Sequence, residues 1–135
     1  MNAKYFDIAR SISKLSTFHK SPTGCIVVYR KQIISTGYNQ FKTHPLQQQY
    51  NKYRFTEITD RHCVHAEIDA LSKIRFHNID WSKVDLYVYR EHRQTGELML
   101  SRPCESCMRF ISKLGIKNIY YTGYGSYNYE LRVSA

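Results

Sequence analysis

The spacing of apolar and polar positions divides the chain into short elements of both kinds. Over residues 3–16, Phe6, Ile8, Ala9, Ile12 and Leu15 recur at intervals of three and four, with Lys4, Arg10 and Lys14 between them. That period predicts an amphipathic helix, ended by Ser21, Pro22 and Gly24. Two β-branched runs follow, residues 25–29 and 32–36, separated only by Arg30 and Lys31, and they predict a β-hairpin closed at Gly37. Residues 38–62 are polar, Gln-rich and aromatic without a clear period. They predict a long loop with one helical turn near residues 46–53, and loops of this length are uncommon unless they have a function.

After His65 the apolar positions Ala66, Ile68, Ala70, Leu71 and Ile74 cover much of a helical circumference, as in a helix packed on a sheet. Residues 84–89 predict a strong strand, and 90–101 a polar excursion that turns at Thr95-Gly96. Pro103 suits the first turn of a second packed helix, with Phe110, Ile111 and Leu114 as its buried stripe and Gly115 as its left-handed cap. Residues 116–122 then predict a strand parallel to 84–89, because a helix of about a dozen residues joins the two. The tail has room only for an antiparallel or edge strand at 129–133. The expectation is one α/β domain over residues 1–135: a three-layer α/β/α sandwich whose mixed sheet begins with the hairpin and continues with parallel strands.

Composition narrows the class. The chain has 42% hydrophobic and 14% aromatic residues, which suits a folded body and excludes a disordered polyelectrolyte. Its 20 Lys and Arg face 11 Asp and Glu, a net charge of +9 that suggests an anionic partner. By segment the balance is +5 over residues 1–37, +2 over 38–62, zero over 63–90 and +2 over 91–135. No run of five like charges marks a polynucleotide track. No stretch approaches the roughly 18 apolar residues of a membrane span, and the N-terminus lacks a signal-like apolar run, so no membrane partner and a cytoplasmic setting are expected. In a reducing compartment Cys104-x-x-Cys107, with histidines elsewhere, reads as metal-binding or redox chemistry rather than a disulfide.

Two fragments carry the chemistry: His65-Ala66-Glu67 and Pro103-Cys104-Glu105-Ser106-Cys107. Each opens a predicted helix, whose N-terminal end favours the thiolate form of cysteine. One His and two Cys make three ligands and leave a fourth tetrahedral position open, the layout of a catalytic zinc site. A carboxylate two residues from the His is within reach of a water at that position. A closed structural zinc site takes four protein ligands, and no obvious fourth accompanies this set. A thioredoxin-like redox pair leaves His65-Ala66-Glu67 unexplained.

The combination His-x-Glu with Pro-Cys-x-x-Cys is the signature of zinc-dependent nucleobase deaminases. The sequence resembles the cytidine and deoxycytidylate deaminase superfamily, which includes a tRNA adenosine deaminase branch. The resemblance spans most of the chain, from the N-terminal helix through the hairpin ending in Gly37-Tyr38-Asn39, both motif helices and the strand at 116–122. It implies that His65, Cys104 and Cys107 hold Zn²⁺ and that Glu67 takes a proton from the activated water, then delivers protons to the ring nitrogen and the departing amino group. It also implies that the Ala66 N–H binds the base carbonyl and that Asn39 contacts sugar or base.

Arg102 stands where many relatives carry a small or acidic residue, and it either meets a phosphate bidentately or pairs with Glu105. His44, His62 and Cys63 imitate the second zinc site of some deoxycytidylate deaminases, although lone His and Cys residues more often pack or face solvent. Cys25 and Cys63 read as small buried residues. The C-terminal tyrosines read first as sheet packing and second as a base-stacking surface. A pyrimidine nucleotide such as dCMP is the leading substrate expectation. Cytosine or adenine in single-stranded DNA or RNA is the second, and a non-catalytic nucleotide-binding module the third. Oligomers are common among similar deaminases, so a homo-oligomer is part of the expectation.

Overall fold

In the computed structural model, which describes residues 2–18, 20–53 and 63–132, the chain opens with helix α1, Ala3–Ser13. Asn2 caps it, its side-chain oxygen accepting the Lys4 amide at 3.0 Å. Phe6, Ala9 and Ser13 form its buried face. The helix stops three residues short of the predicted end, so Leu15 falls out of phase with the stripe and is exposed.

Strands β1 (Thr23–Tyr29) and β2 (Gln32–Tyr38) form the predicted antiparallel hairpin. Arg30 and Lys31 turn it with φ of 51° and 64°, the left-handed pair of a two-residue hairpin loop. β2 continues through Gly37 instead of ending there. Then come β3 (Gln40–Phe41) and α2 (Pro45–Tyr50), which runs into a 3₁₀ turn at Asn51–Tyr53 where the helical turn was expected. β4 (Cys63–Val64) pairs with β3 and leads into α3 (Ala66–Ser72).

The remaining elements are β5 (Asp85–Arg90), α4 (Glu105–Leu114), β6 (Asn118–Gly123) and β7 (Ser126–Leu131). The α4 cap is Cys104, so Pro103 precedes the cap and does not occupy the first turn; Cys104 is extended, with ψ of 171°, and the helix begins only after it. Gly115 ends α4 in the left-handed conformation, φ 97°, as its position predicts.

The main sheet is ordered β2-β1-β5-β6-β7. β5 and β6 are parallel around the α4 crossover, and every other pairing in it is antiparallel, including the edge strand β7. On one face α1 packs Phe6 and Ala9 onto Ile26, Val28, Tyr87 and Tyr89. On the other, α3 and α4 bury Ile68, Leu71, Met108 and Ile111 against Val27, Leu86, Val88 and Ile119. The result is the expected three-layer sandwich. The C-terminal tyrosines divide: Tyr120 stacks on Tyr87 at 4.4 Å between ring centroids and Tyr127 on Phe6 at 4.2 Å, while Tyr124, Tyr129 and the outer part of Tyr127 are exposed.

One glycine sets the depth of the site. A Cβ on Gly37 would strike the Ala70 amide and the Ala66 carbonyl, so only glycine lets α3 lie this close to β2. Asp69 completes the contact, its carboxylate accepting the Tyr38 amide at 3.1 Å. No helix among the described residues is long and apolar enough to cross a membrane.

Candidate metal centre and its pocket

The short β3–β4 pairing sets Val64 opposite Gln40 and Cys63 opposite Phe41, which delivers His65 to the N-cap of α3. Cys104 holds the same place on α4. Neither side chain makes a cap hydrogen bond to its own helix, and both turn towards one point. His65 Nδ1 lies 3.3 Å from Cys107 Sγ and 3.5 Å from Cys104 Sγ. All three donor atoms fall within 4.8 Å of one another, the one such cluster of three found among the described residues.

These separations test the fit of a metal. Tetrahedral zinc with Zn–S near 2.3 Å and Zn–N near 2.0 Å requires neighbouring donors about 3.5 Å apart. The His65–cysteine distances meet that requirement without side-chain movement, and one nitrogen with two sulfurs is a zinc-type donor set. Three protein donors leave the fourth position open to the pocket.

The electrostatics agree. The Cys104 sulfur is pulled down to about 3, chiefly by the hydrogen bond that the Cys107 thiol donates to it, with help from His65. Cys107 is correspondingly raised, because it keeps that proton and is buried. Zinc takes both sulfurs as thiolates, so a bound cation favours loss of the Cys107 proton. Glu67 sits one helical step from the cluster and is buried, which pushes its carboxyl up to about 7 against the opposing influence of His65.

Around this floor lies a pocket of about 190 Å³ that brings together His65, Ala66, Glu67, Asn39, Arg102 and Cys104, all singled out in the sequence. Cys107 lies behind it, fully buried. Ala66 is the first residue of α3, where a backbone N–H has no partner within the helix. The Asn39 side chain is largely committed to the wall. Its oxygen accepts the Thr23 amide at 2.9 Å and the Ser16 hydroxyl at 2.5 Å, while its amide donates to the Ser21 carbonyl at 2.8 Å. Arg102, at the exposed rim of the pocket, does not pair with Glu105. Its guanidinium forks onto Glu130 of β7 at 2.8 and 3.0 Å, and Glu105 pairs with Arg109 instead.

Of the second-site residues, His44 caps α2 by accepting the Leu46 amide at 3.2 Å, and Cys63 is buried beside the pocket. His62 lies outside the described residues, as does His19.

Sequence reasoning missed three contributors. Gln47 of α2, almost fully buried, accepts the His65 amide at 2.9 Å and donates to Asn51 at 2.9 Å, so α2 braces the ligand from the far side. Ser101 binds the Val88 carbonyl and the Thr122 amide, each at 2.8 Å, and so fixes the approach to Cys104. Arg90 lines the pocket from the end of β5. Only Arg90 had a readable signal, the side-chain alternation that places it on the same face as Val88.

Comparison with known proteins agrees with this geometry. The profile of the cytidine and deoxycytidylate deaminase zinc-binding region matches residues 1–123. The dCMP deaminase of the cyanophage S-TIM5, in its apo form, superposes with a TM-score of 0.61 at 24% identity, over 88% of this chain and 79% of that one. Its complex with dCMP and dUMP gives 0.59 at 25% identity, covering 88% and 78%. Cytidine deaminase from Burkholderia pseudomallei gives 0.66 at 14% identity, covering 97% and 92%. No curated protein matches the sequence at a significant level.

Proposed function

The chain belongs to the cytidine and deoxycytidylate deaminase family, and on that footing we propose that it hydrolyses the amino group of cytosine in a pyrimidine nucleotide such as dCMP. The reaction adds water at C4 of the base and releases ammonia, leaving uracil. One observation carries this reading: a three-donor metal cluster and a buried carboxyl share the floor of one pocket. The substrate class draws support from the phage dCMP deaminase, which is similar over most of its length and has been seen with dCMP and dUMP.

His65, Cys104 and Cys107 hold zinc in this proposal. When bound, the metal supplies Lewis-acid activation, lowering the pKa of a coordinated water to about 7. Glu67 does the proton work. Its carboxylate takes one proton from the attacking water and passes it to the ring nitrogen, then takes the second from the hydroxyl newly attached to C4 and gives it to the amino group, so that the C4–N bond breaks, the carbonyl forms and ammonia departs. Burial keeps that carboxyl away from bulk water, which limits loss of the proton to solvent. The Ala66 N–H, unpaired within its helix, suits the base carbonyl. Asn39 faces the sugar or base with the remaining hydrogen of its amide and holds the Ser21–Thr23 wall with the rest.

A second reading draws on one feature. Phe18 at the pocket and exposed Phe41 pack at 4.8 Å between ring centroids, a platform on which a neighbouring base of single-stranded nucleic acid can stack. Zinc-loaded protein supplied separately with dCMP, deoxycytidine, cytidine and a cytosine-bearing oligodeoxynucleotide decides between them. Ammonia from dCMP ahead of the oligonucleotide supports the nucleotide reading, and the reverse order replaces it with the polynucleotide one.

A further inference from the structure

Two arginines line the pocket, and their electrostatic situations differ. Both fork bonds of Arg102 go to Glu130, whose carboxylate also receives Arg132 at 3.2 Å. That head is braced to β7 and neutralised. Arg90 ends β5, on the face of the sheet that carries Leu86 and Val88 towards α3 and α4. Its amide donates to the Thr122 hydroxyl at 3.2 Å, which anchors the backbone, while the guanidinium makes one long bond to the Leu100 carbonyl at 3.5 Å. Among the described residues no carboxylate pairs with Arg90, and the pocket's single carboxyl is that of Glu67 on its floor.

The guanidinium meets solvent at the pocket mouth and no carboxylate among the described residues pairs with it, so its charge is available to an anionic ligand. Its planar fork matches two phosphate oxygens. Ser21 and Thr23 line the same pocket, and β1 places Thr23 directly opposite Arg90. From this arrangement we infer that Arg90 is the specificity residue that reads the phosphate monoester of the nucleotide. Arg102 stiffens the wall between Ser101 and the metal cluster. The inference rests on the deaminase reading for the identity of the nucleotide, but its geometry is independent of the chemical step.

Titration calorimetry of the zinc-loaded protein with dUMP and with deoxyuridine isolates the phosphate contact without using turnover. The parent binds dUMP about tenfold or more tightly than deoxyuridine, the range of one or two charge-assisted hydrogen bonds. Arg90→Ala removes most of that ratio and leaves deoxyuridine within about twofold of the parent, and Arg90→Lys recovers part of it. Arg90→Gln, which keeps the packing of the stem, replaces the alanine variant if thermal melting shows that variant to be unfolded. The inference falls if the parent binds both ligands equally, or if the variants keep the parent ratio. A cytosine-free single-stranded oligodeoxynucleotide bound more tightly than dUMP overturns the monoester assignment in favour of a phosphodiester. A protein that binds dUMP through Arg90 yet releases no ammonia from dCMP sinks the deaminase reading and leaves this one standing.

Discussion

Replacing Gln47 by leucine tests how the metal ligand is held. The side chains are close in volume, so the substitution deletes hydrogen bonds while leaving little cavity. Two are lost: the His65 amide gives up its acceptor at 2.9 Å, and Asn51 gives up the donor at 2.9 Å. Gln47 is 1% exposed and Asn51 5%, so water replaces these partners poorly. Each buried group left unsatisfied costs about 1–3 kcal/mol, giving roughly 2–6 kcal/mol in all. That is a large share of the roughly 5–15 kcal/mol that stabilises a typical domain. His65 also sits on a loosened cap, and zinc affinity is expected to fall about 10- to 100-fold, as for other groups that orient a ligand. Urea unfolding reads the first quantity and competition with a chromophoric chelator the second. Gln47→Glu keeps an acceptor for His65 but sets a carboxylate oxygen against Asn51 Oδ1, so it falls between parent and leucine. Gln49→Leu, on the exposed side of α2, changes neither quantity. A Gln47→Leu protein within about 0.5 kcal/mol of the parent, with unaltered zinc affinity, refutes the bracing argument.

Glu67→Gln keeps the metal and removes the proposed proton carrier, so kcat is expected to fall by about 10²-fold or more while zinc stays stoichiometric by atomic absorption. Gly37→Ala puts a methyl 2.5 Å from the Ala66 carbonyl and 2.9 Å from the Ala70 Cα; α3 must rise by a large fraction of an ångström, at about 1–3 kcal/mol in urea unfolding. Glu130→Gln costs at most about 1 kcal/mol at neutral pH, because Arg102 is 39% exposed and water screens the pair. The arginine fork holds the Glu130 carboxyl below its usual range, so this stabilisation is present above the ordinary carboxylate pKa. It disappears as pH falls through the depressed value, and denaturation curves of parent and Glu130→Gln converge in acid.

The metal cluster was legible because its signals are local. His65-Ala66-Glu67 and Cys104-x-x-Cys107 each place their ligands within one helical turn, and turn geometry then fixes where the side chains point. The layers were legible for the same reason, since Ile68, Leu71, Phe110 and Ile111 repeat at helical spacing on the faces that became buried. Element ends were harder to read. Leu15 continues the α1 period after the chain has left the helix, and Pro103 suits either side of a cap. What the sequence hid is long-range. Gln47 lies 18 positions from His65 in an aperiodic Gln-rich stretch, and Glu130 lies 28 from Arg102, on a strand whose pairing places it there. No periodicity marks a polar side chain whose partner is set by the fold.

In the proposed reaction this pocket removes ammonia from a cytosine nucleotide with zinc bound. Its most direct test follows ammonia and dUMP together during incubation of the zinc-loaded protein with dCMP. The expected result is one ammonia per dUMP, arrest when a chelator strips the metal, and recovery on adding one equivalent of zinc. Stoichiometric zinc with no ammonia from dCMP, deoxycytidine, cytidine or a cytosine oligonucleotide contradicts it.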